Sequence, residues 1–247
     1  MISIRTLPST GYPSPEHDFS PGEAYPEYRF ASVAHEPNEV YAGVRQVLEQ
    51  ARLDHAKFGT PEWNPLGEFV RPGARVFVLC NFVYHRRPQE SARALQAKCI
   101  HGSVLRALID YLLIAVGPEG RVGFGNSPLQ SCRWEQVLAD AEADHTLAFY
   151  EREGQPVEAR DLRLVVSEGD LLGRLRPVHH PNPASESVEI DLGATSMLSE
   201  LCGPEAPDFR VADYDPRRTR DFHAGQSHRY VIHRAVMDAD VIVSLSK

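Results

Sequence analysis

The chain has 247 residues, 42% of them hydrophobic and 24% charged, which excludes disorder, collagen and coiled coil as descriptions of the whole. Its formal charge of -8 argues against a general nucleic-acid binder, whose phosphate contacts need a basic surface, so the expected partner is a small molecule or another protein. The most apolar stretch, Leu105 to Val116, is interrupted by Arg106 and Asp110 and is too short to span a bilayer, so no membrane role is expected.

The first 37 residues carry prolines at 8, 13, 15, 21, 26 and 37 and read as an extended arm. Arg29 to His35 alternates as a strand would, and Asn38 to Leu53 places Val40, Val44, Val47, Leu48 and Ala51 on one helical face, with Asn38 as the cap. After a loop from Thr60 to Gly73 comes the strongest strand, Arg75 to Phe82, whose nearly continuous apolar run belongs at the centre of a parallel sheet. A helix from about Ile100 to Val116 ends at Gly117-Pro118, a strand follows at Arg121 to Gly125, a helix at Trp134 to Ala141 and a strand at His145 to Tyr150. Alternation of this kind predicts an α/β fold with a mostly parallel, doubly wound sheet. Short strands at Leu162 to Val166 and Ser187 to Leu192 form a small β-rich insertion over about 151–215, and Tyr230 to Val236 and Ala239 to Leu245 return to buried-strand character. The expected organisation is therefore an arm over 1–37 and a single α/β domain over 38–247.

Cys80, Cys99, Cys132 and Cys202 form no C-x-x-C pair, so they read as reduced thilols of a cytoplasmic protein rather than ligands of zinc or an iron-sulfur cluster. All but three of the 26 basic residues are arginine; base composition favouring arginine codons explains this more simply than anion recognition does.

Three blocks carry a resemblance: VFVLCNF with the helix VLRALIDYLL, then RVGFGNSP, then HRYVIHRAVMDADVIVSLSK. Together, in this order, they resemble the family called domain of unknown function 362, over about Arg75 to Lys247. The resemblance implies a strand ending at Asn81, a helix led by His101, a second strand ending at Asn126-Ser127-Pro128, and a last strand that begins near Asp240 and runs into Lys247. Cys80 stands where the family has proline and Asn126 where it has aspartate. The chain stops at the start of the family's Lys-Leu-Lys-Thr-His motif, so the expectation is a fragment of a larger domain. Some relatives carry an iron-sulfur segment; its cysteine motif is absent here, so no cofactor is expected.

The ends of three parallel strands would bring together Asn81, then Gly125, Asn126 and Ser127, then Lys247, and ligands of open α/β sheets bind outside the carboxyl ends of the strands. The glycine-containing turn reads either as an anion-binding loop or as an ordinary strand-to-helix turn. Arg86 and Arg87, beside His85, form either a guanidinium clamp or a solvated loop within a basic segment from Arg71 to Arg106 whose one acidic residue is Glu90. His85 and His101 are the candidate proton carriers. His223, His228 and His233, spaced by five, make a poor chelate, and His179-His180 reads as a solvent-facing pair in a loop. The function expected is binding of a small anionic metabolite at the strand ends, with an enzymatic role open. The alternatives are a non-catalytic or incomplete domain that pairs with a complementary segment or a second copy, and a metal-dependent redox or isomerase-type enzyme.

Overall fold

The computed structural model describes residues 2–7, 11–169, 174–179, 186–200 and 216–247, so His180 and Cys202 lie outside the described residues. The chain divides into two compact units, the first of Met1–Asn126, Trp134–Arg160 and Ala239–Lys247, the second of Ser127–Arg133 and Asp161–Asp238.

The first unit holds the α/β fold. Helix α1 (Glu39–Gln50) starts where Asn38 Oδ1 accepts the Tyr41 N–H at 3.0 Å. Strand β1 (Arg75–Cys80) buries Val76, Phe77, Val78 and Cys80, hence both of its faces. Helix α2 (Ala92–Gln96) is one short turn, and α3 (Gly102–Val116) ends at Gly117, whose positive φ of 65° suits glycine. Strand β2 (Arg121–Asn126), helices α4 (Trp134–Asp140) and α5 (Ala143–Arg152) and strand β3 (Val157–Asp161) follow. The last strand of the chain is β8 (Val241–Leu245), numbered after the strands of the second unit. The sheet runs β3-β2-β1-β8 with all strands parallel, β1 pairing with β2 from Arg75 opposite Arg121 and with β8 from Val76 opposite Val241. Parallel order places all carboxyl ends on one side, as the sequence predicts. Asp240 sets the β8 register, since its carboxylate accepts the Arg75 N–H and its own N–H donates to the Arg75 carbonyl, both at 2.8 Å.

Gly123 and Gly125 lie inside β2, not in a loop. A Cβ on Gly123 would sit 2.9 Å from the Phe77 ring, and one on Gly125 would sit 2.0 Å from the Arg160 carbonyl oxygen. Both glycines therefore permit close packing, of Phe77 across the strand and of β3 beside it.

Two expected strands do not form in this unit. His145 to Tyr150 is helical, because Ala143, Thr146, Phe149 and Tyr150 are the buried positions, a helical spacing hidden by two adjacent aromatics with strand propensity. Arg29 to His35 forms no strand; Phe30 instead packs edge-on against Phe149 with centroids 5.0 Å apart.

Helix α3 is the axis of the unit, and its polar residues explain why it can be fully surrounded. Arg106 is completely buried and pairs with Asp110, donates to Tyr28 Oη at 3.1 Å and lies 3.8 Å over the Phe149 ring. Asp110 also accepts from Tyr41 at 2.8 Å and Tyr150 at 2.7 Å. The sequence break read at Arg106 and Asp110 is thus a buried, partnered pair on one helical face.

The second unit is built from two antiparallel pairs: β4 (Val165–Gly169) with β5 (Leu175–His179), and β6 (Ser187–Asp191) with β7 (Arg229–His233). Helices α6 (Pro216–Phe222) and α7 (Arg234–Met237) flank β7 in sequence. Arg163 ties Ser127–Arg133 into this unit, since it is held by Asp161 at 2.6 Å and donates to the carbonyls of Leu129, Gln130 and Cys132. The expected strand at Leu162 to Val166 is interrupted where Arg163 turns to those carbonyls, and β4 begins at Val165. No helix among the described residues is long and apolar enough to cross a membrane.

Candidate active site at the start of helix α3

The carboxyl end of β1 is stitched to the entry of α3 by one residue. Asn81 donates its backbone N–H to the Leu245 carbonyl of β8 at 3.2 Å, its side chain donates to the Lys98 carbonyl at 3.1 Å, and its own carbonyl accepts the Ile100 N–H at 3.1 Å. That fixes the neighbouring His101, the cap of α3.

His101 Nδ1 accepts the Ser103 backbone N–H at 3.2 Å and lies 2.9 Å from Ser103 Oγ. A backbone N–H only donates, so Nδ1 carries the lone pair and the proton sits on Nε2. Nε2 lies 3.3 Å from Glu142 Oε2. Burial, with the Lys247 ammonium nearby, pushes the imidazole down to about 4, so His101 is a neutral donor at pH 7.

Glu142 is unusual in two respects. It joins α4 to α5 in the left-handed conformation (φ 56°, ψ 22°), which a side chain rarely adopts, and Oε2 is buried without a hydrogen-bond partner despite its closeness to Nε2. Burial raises its carboxyl above the usual range. Gly102 makes the approach possible: a Cβ there would sit 2.0 Å from the Glu142 carbonyl oxygen, and the Gly102 N–H donates to Ala141 at 2.8 Å. The first N–H groups of α3 are thereby occupied, so the helix end offers an anion nothing; positive charge must come from side chains.

His101 and Glu142 line a cavity of about 240 Å³ with Arg86, Cys99 and Asp140. Above His101, the Tyr12 ring of the N-terminal arm stacks in parallel at 4.1 Å, and Lys247 Nζ donates to the Tyr12 hydroxyl at 2.5 Å. Of the expected residues, His101 and Arg86 line the cavity, and Lys247 stands outside its lining, near His101 through Tyr12. Asn81 and Asn126 serve as ties, Asn126 donating to the Phe82 carbonyl at 3.0 Å. His85 is buried and stacked on Tyr84 with centroids 4.3 Å apart, outside the cavity lining, and Arg87 lies over the same tyrosine at 5.2 Å. Gly125 faces β3, and Ser127 belongs to the second unit. Much of the basic segment is neutralised locally: Lys98 by Glu90 at 2.6 Å, Arg71 and Arg75 by Asp240, Arg106 by Asp110.

Sequence reasoning missed Glu142 and Tyr12. Glu142 sits in an acidic, alanine-rich stretch with no signal of a left-handed turn; the His-Gly-Ser start of α3 is the one trace of the close approach it makes. Among the described residues no group of three His, Cys, Asp or Glu side chains is arranged to hold a metal ion. Compared with known proteins, the chain matches no family model, no curated protein and no solved structure.

Proposed function

We propose that the first unit binds a small anionic metabolite at the carboxyl ends of its parallel strands and moves a proton on it. The observation that carries this reading is the His101–Glu142 pair, a neutral N–H donor 3.3 Å from a buried carboxylate oxygen in one cavity. A neutral imidazole polarises a carbonyl oxygen while a carboxylate of raised pKa takes a proton from the adjacent carbon, the division of labour that enolisation needs. Arg86 and Lys247 supply charge for the anionic end. The resemblance to the domain of unknown function 362 family points to the same strand ends. Cys80 and Cys99 are free and buried, which supports a cytoplasmic location.

A thermal-shift screen of 2-oxo and 2-hydroxy carboxylates and sugar phosphates tests binding, followed by proton exchange of the best ligand in D2O. The expected result is binding that Arg86→Ala combined with Lys247→Ala weakens, and exchange that Glu142→Gln abolishes. Binding and exchange unaffected by these changes would remove the site from consideration.

One observation favours a second reading, a domain that pairs with another chain: among the described residues β8 is an edge strand, and Ile242 on it is half exposed. Light scattering on the purified chain separates the two, since a monomer that binds the metabolite contradicts pairing.

A further inference from the structure

The second unit holds a larger cavity than the first. Its volume is about 620 Å³, in the range of small-molecule sites, and among the described residues no aspartate or glutamate contributes to its lining. The lining is instead cationic, with Arg163, Arg218 and Arg229 joined by His223 and His233. The three arginines differ in how far their charge is already used, and His233 Nε2 lies 3.2 Å from Glu186 Oε2. Arg163 is fully engaged by Asp161 and three carbonyls and acts as a wall. Arg229 stacks 4.4 Å over the Phe222 ring, and its contact with Glu189 is a single loose one at 3.3 Å between exposed groups. Arg218, on the exposed face of α6, makes no ion pair among the described residues.

The remainder of the lining mixes the apolar and aromatic Leu164, Val165, Phe222 and Tyr230 with the polar Ser127, Gln130, Ser187 and Thr219. The His223 ring meets Tyr230 edge-on at 5.2 Å and is stacked on His228 at 5.6 Å. His228 is completely buried with neither ring nitrogen hydrogen-bonded, although a neutral imidazole always carries one N–H donor. A buried polar ring without partners, behind a wall of positive and aromatic groups, is the composition of a ligand site rather than of a folding core.

We infer that this cavity binds an organic phosphate with a flat, apolar body, of the size of a mononucleotide. The phosphate would meet Arg218 and Arg229, whose planar forks match its oxygens, and the body would lie against Phe222, Tyr230 and the leucine and valine side chains. A dianion fits better than a monoanion because two incompletely neutralised guanidinium groups line the cavity, Arg229 being met by Glu189 through one loose contact and Arg218 making no ion pair among the described residues. Ser127, expected from sequence among the strand-end residues, lines this cavity and becomes part of the second site.

Calorimetric titration of the full chain with adenosine 5′-monophosphate, phenyl phosphate, adenosine and inorganic phosphate tests the inference. The two organic phosphates are expected to bind, with adenosine and inorganic phosphate each weaker by at least about tenfold, since neither offers both halves of the ligand. Arg218→Gln should weaken organic phosphates by about tenfold without moving the thermal midpoint, because the side chain is exposed, and Arg218→Lys should recover part of the loss. Lys247→Ala, which touches the first unit's site, should change nothing. Failure of both organic phosphates to bind overturns the inference. So does binding that Lys247→Ala abolishes and Arg218→Gln leaves intact, an outcome that would assign the ligand to the first unit and leave the function proposed there standing.

Discussion

Two pairs of polar residues stand on or beside helix α3, and both set a buried carboxylate oxygen against a nitrogen base, although the Glu142 side chain is a third exposed. Arg106 and Asp110 occupy adjacent turns of an ordinary helix, and Asp110 is completed by two tyrosine hydroxyls at 2.7 and 2.8 Å. At the helix start, His101 meets Glu142 at 3.3 Å without a formed hydrogen bond, and Glu142 is held in a left-handed backbone conformation. Arg106 Nε is also without an acceptor, but the facing charges of the Arg106–Asp110 pair are met, the Asp110 carboxylate by three donors on relaxed backbone, which marks a group that supports the fold. A buried polar atom left without a partner on strained backbone marks a place kept for something else. The comparison has practical content: damage to the first pair should cost stability, and damage to the second should cost binding.

The strongest way to break that comparison is Asp110→Ala. It leaves the Arg106 cation buried and the Tyr41 hydroxyl without an acceptor, Tyr150 keeping the Arg106 carbonyl at 3.0 Å, so unfolding in denaturant should show a loss of about 3–5 kcal/mol. A loss below about 1 kcal/mol would mean that water reaches the pair and that it is no more structural than its neighbour. Replacing both partners, Arg106→Met with Asp110→Leu, should cost less than Asp110→Ala alone, because no charge is then stranded.

Next in size is a pH effect. The unfolded imidazole of His101 takes up its proton near pH 6.5, the folded one not until about 4, so stability is full above pH 6.5 and falls as pH drops between these values. The loss attributable to His101 approaches about 3 kcal/mol at the low end. In thermal melts from pH 7 to 4, His101→Asn, which keeps a capping side chain, should flatten this part of the profile; an unchanged slope would show that the imidazole is already protonated in the fold. Gly102→Ala comes third. Its Cβ must displace the Glu142 carbonyl, an overpacking cost of about 2 kcal/mol, and the same displacement should separate Glu142 from His101 and weaken ligand binding.

The two pairs were unequally legible in the sequence, for a physical reason. The sheet follows from patterns local to each segment: the apolar run of β1, the Gly117 stop, the Asn38 cap and the alternation of strand and helix. His101 stands out in the sequence as the helix leader that the resemblance implies, and Arg86 and Lys247 as cations near strand ends. Arg106 and Asp110 looked like interruptions, since their partners Tyr41 and Tyr150 come from other helices. Glu142 could not be found at all, because what singles it out is the backbone approach across Gly102, a tertiary fact. His145 to Tyr150 was misread as a strand for the same reason in reverse: aromatic propensity is local, and the helical burial pattern depends on the core it meets.

The smallest expected effect separates the two pairs most sharply, because its sign differs from that of the others. At Glu142 the backbone φ of 56° penalises any residue with a Cβ by about 1–2 kcal/mol, and glycine removes the penalty. Glycine also gains freedom in the unfolded chain, which offsets part of the gain. Glu142→Gly should therefore raise the unfolding free energy by roughly 0.5–1 kcal/mol. The same change deletes the carboxylate facing His101, so proton exchange on the bound ligand should stop while the protein becomes harder to unfold. A residue retained for stability would give the reverse result, a less stable protein with ligand chemistry intact, and that result would place Glu142 in the same class as Asp110.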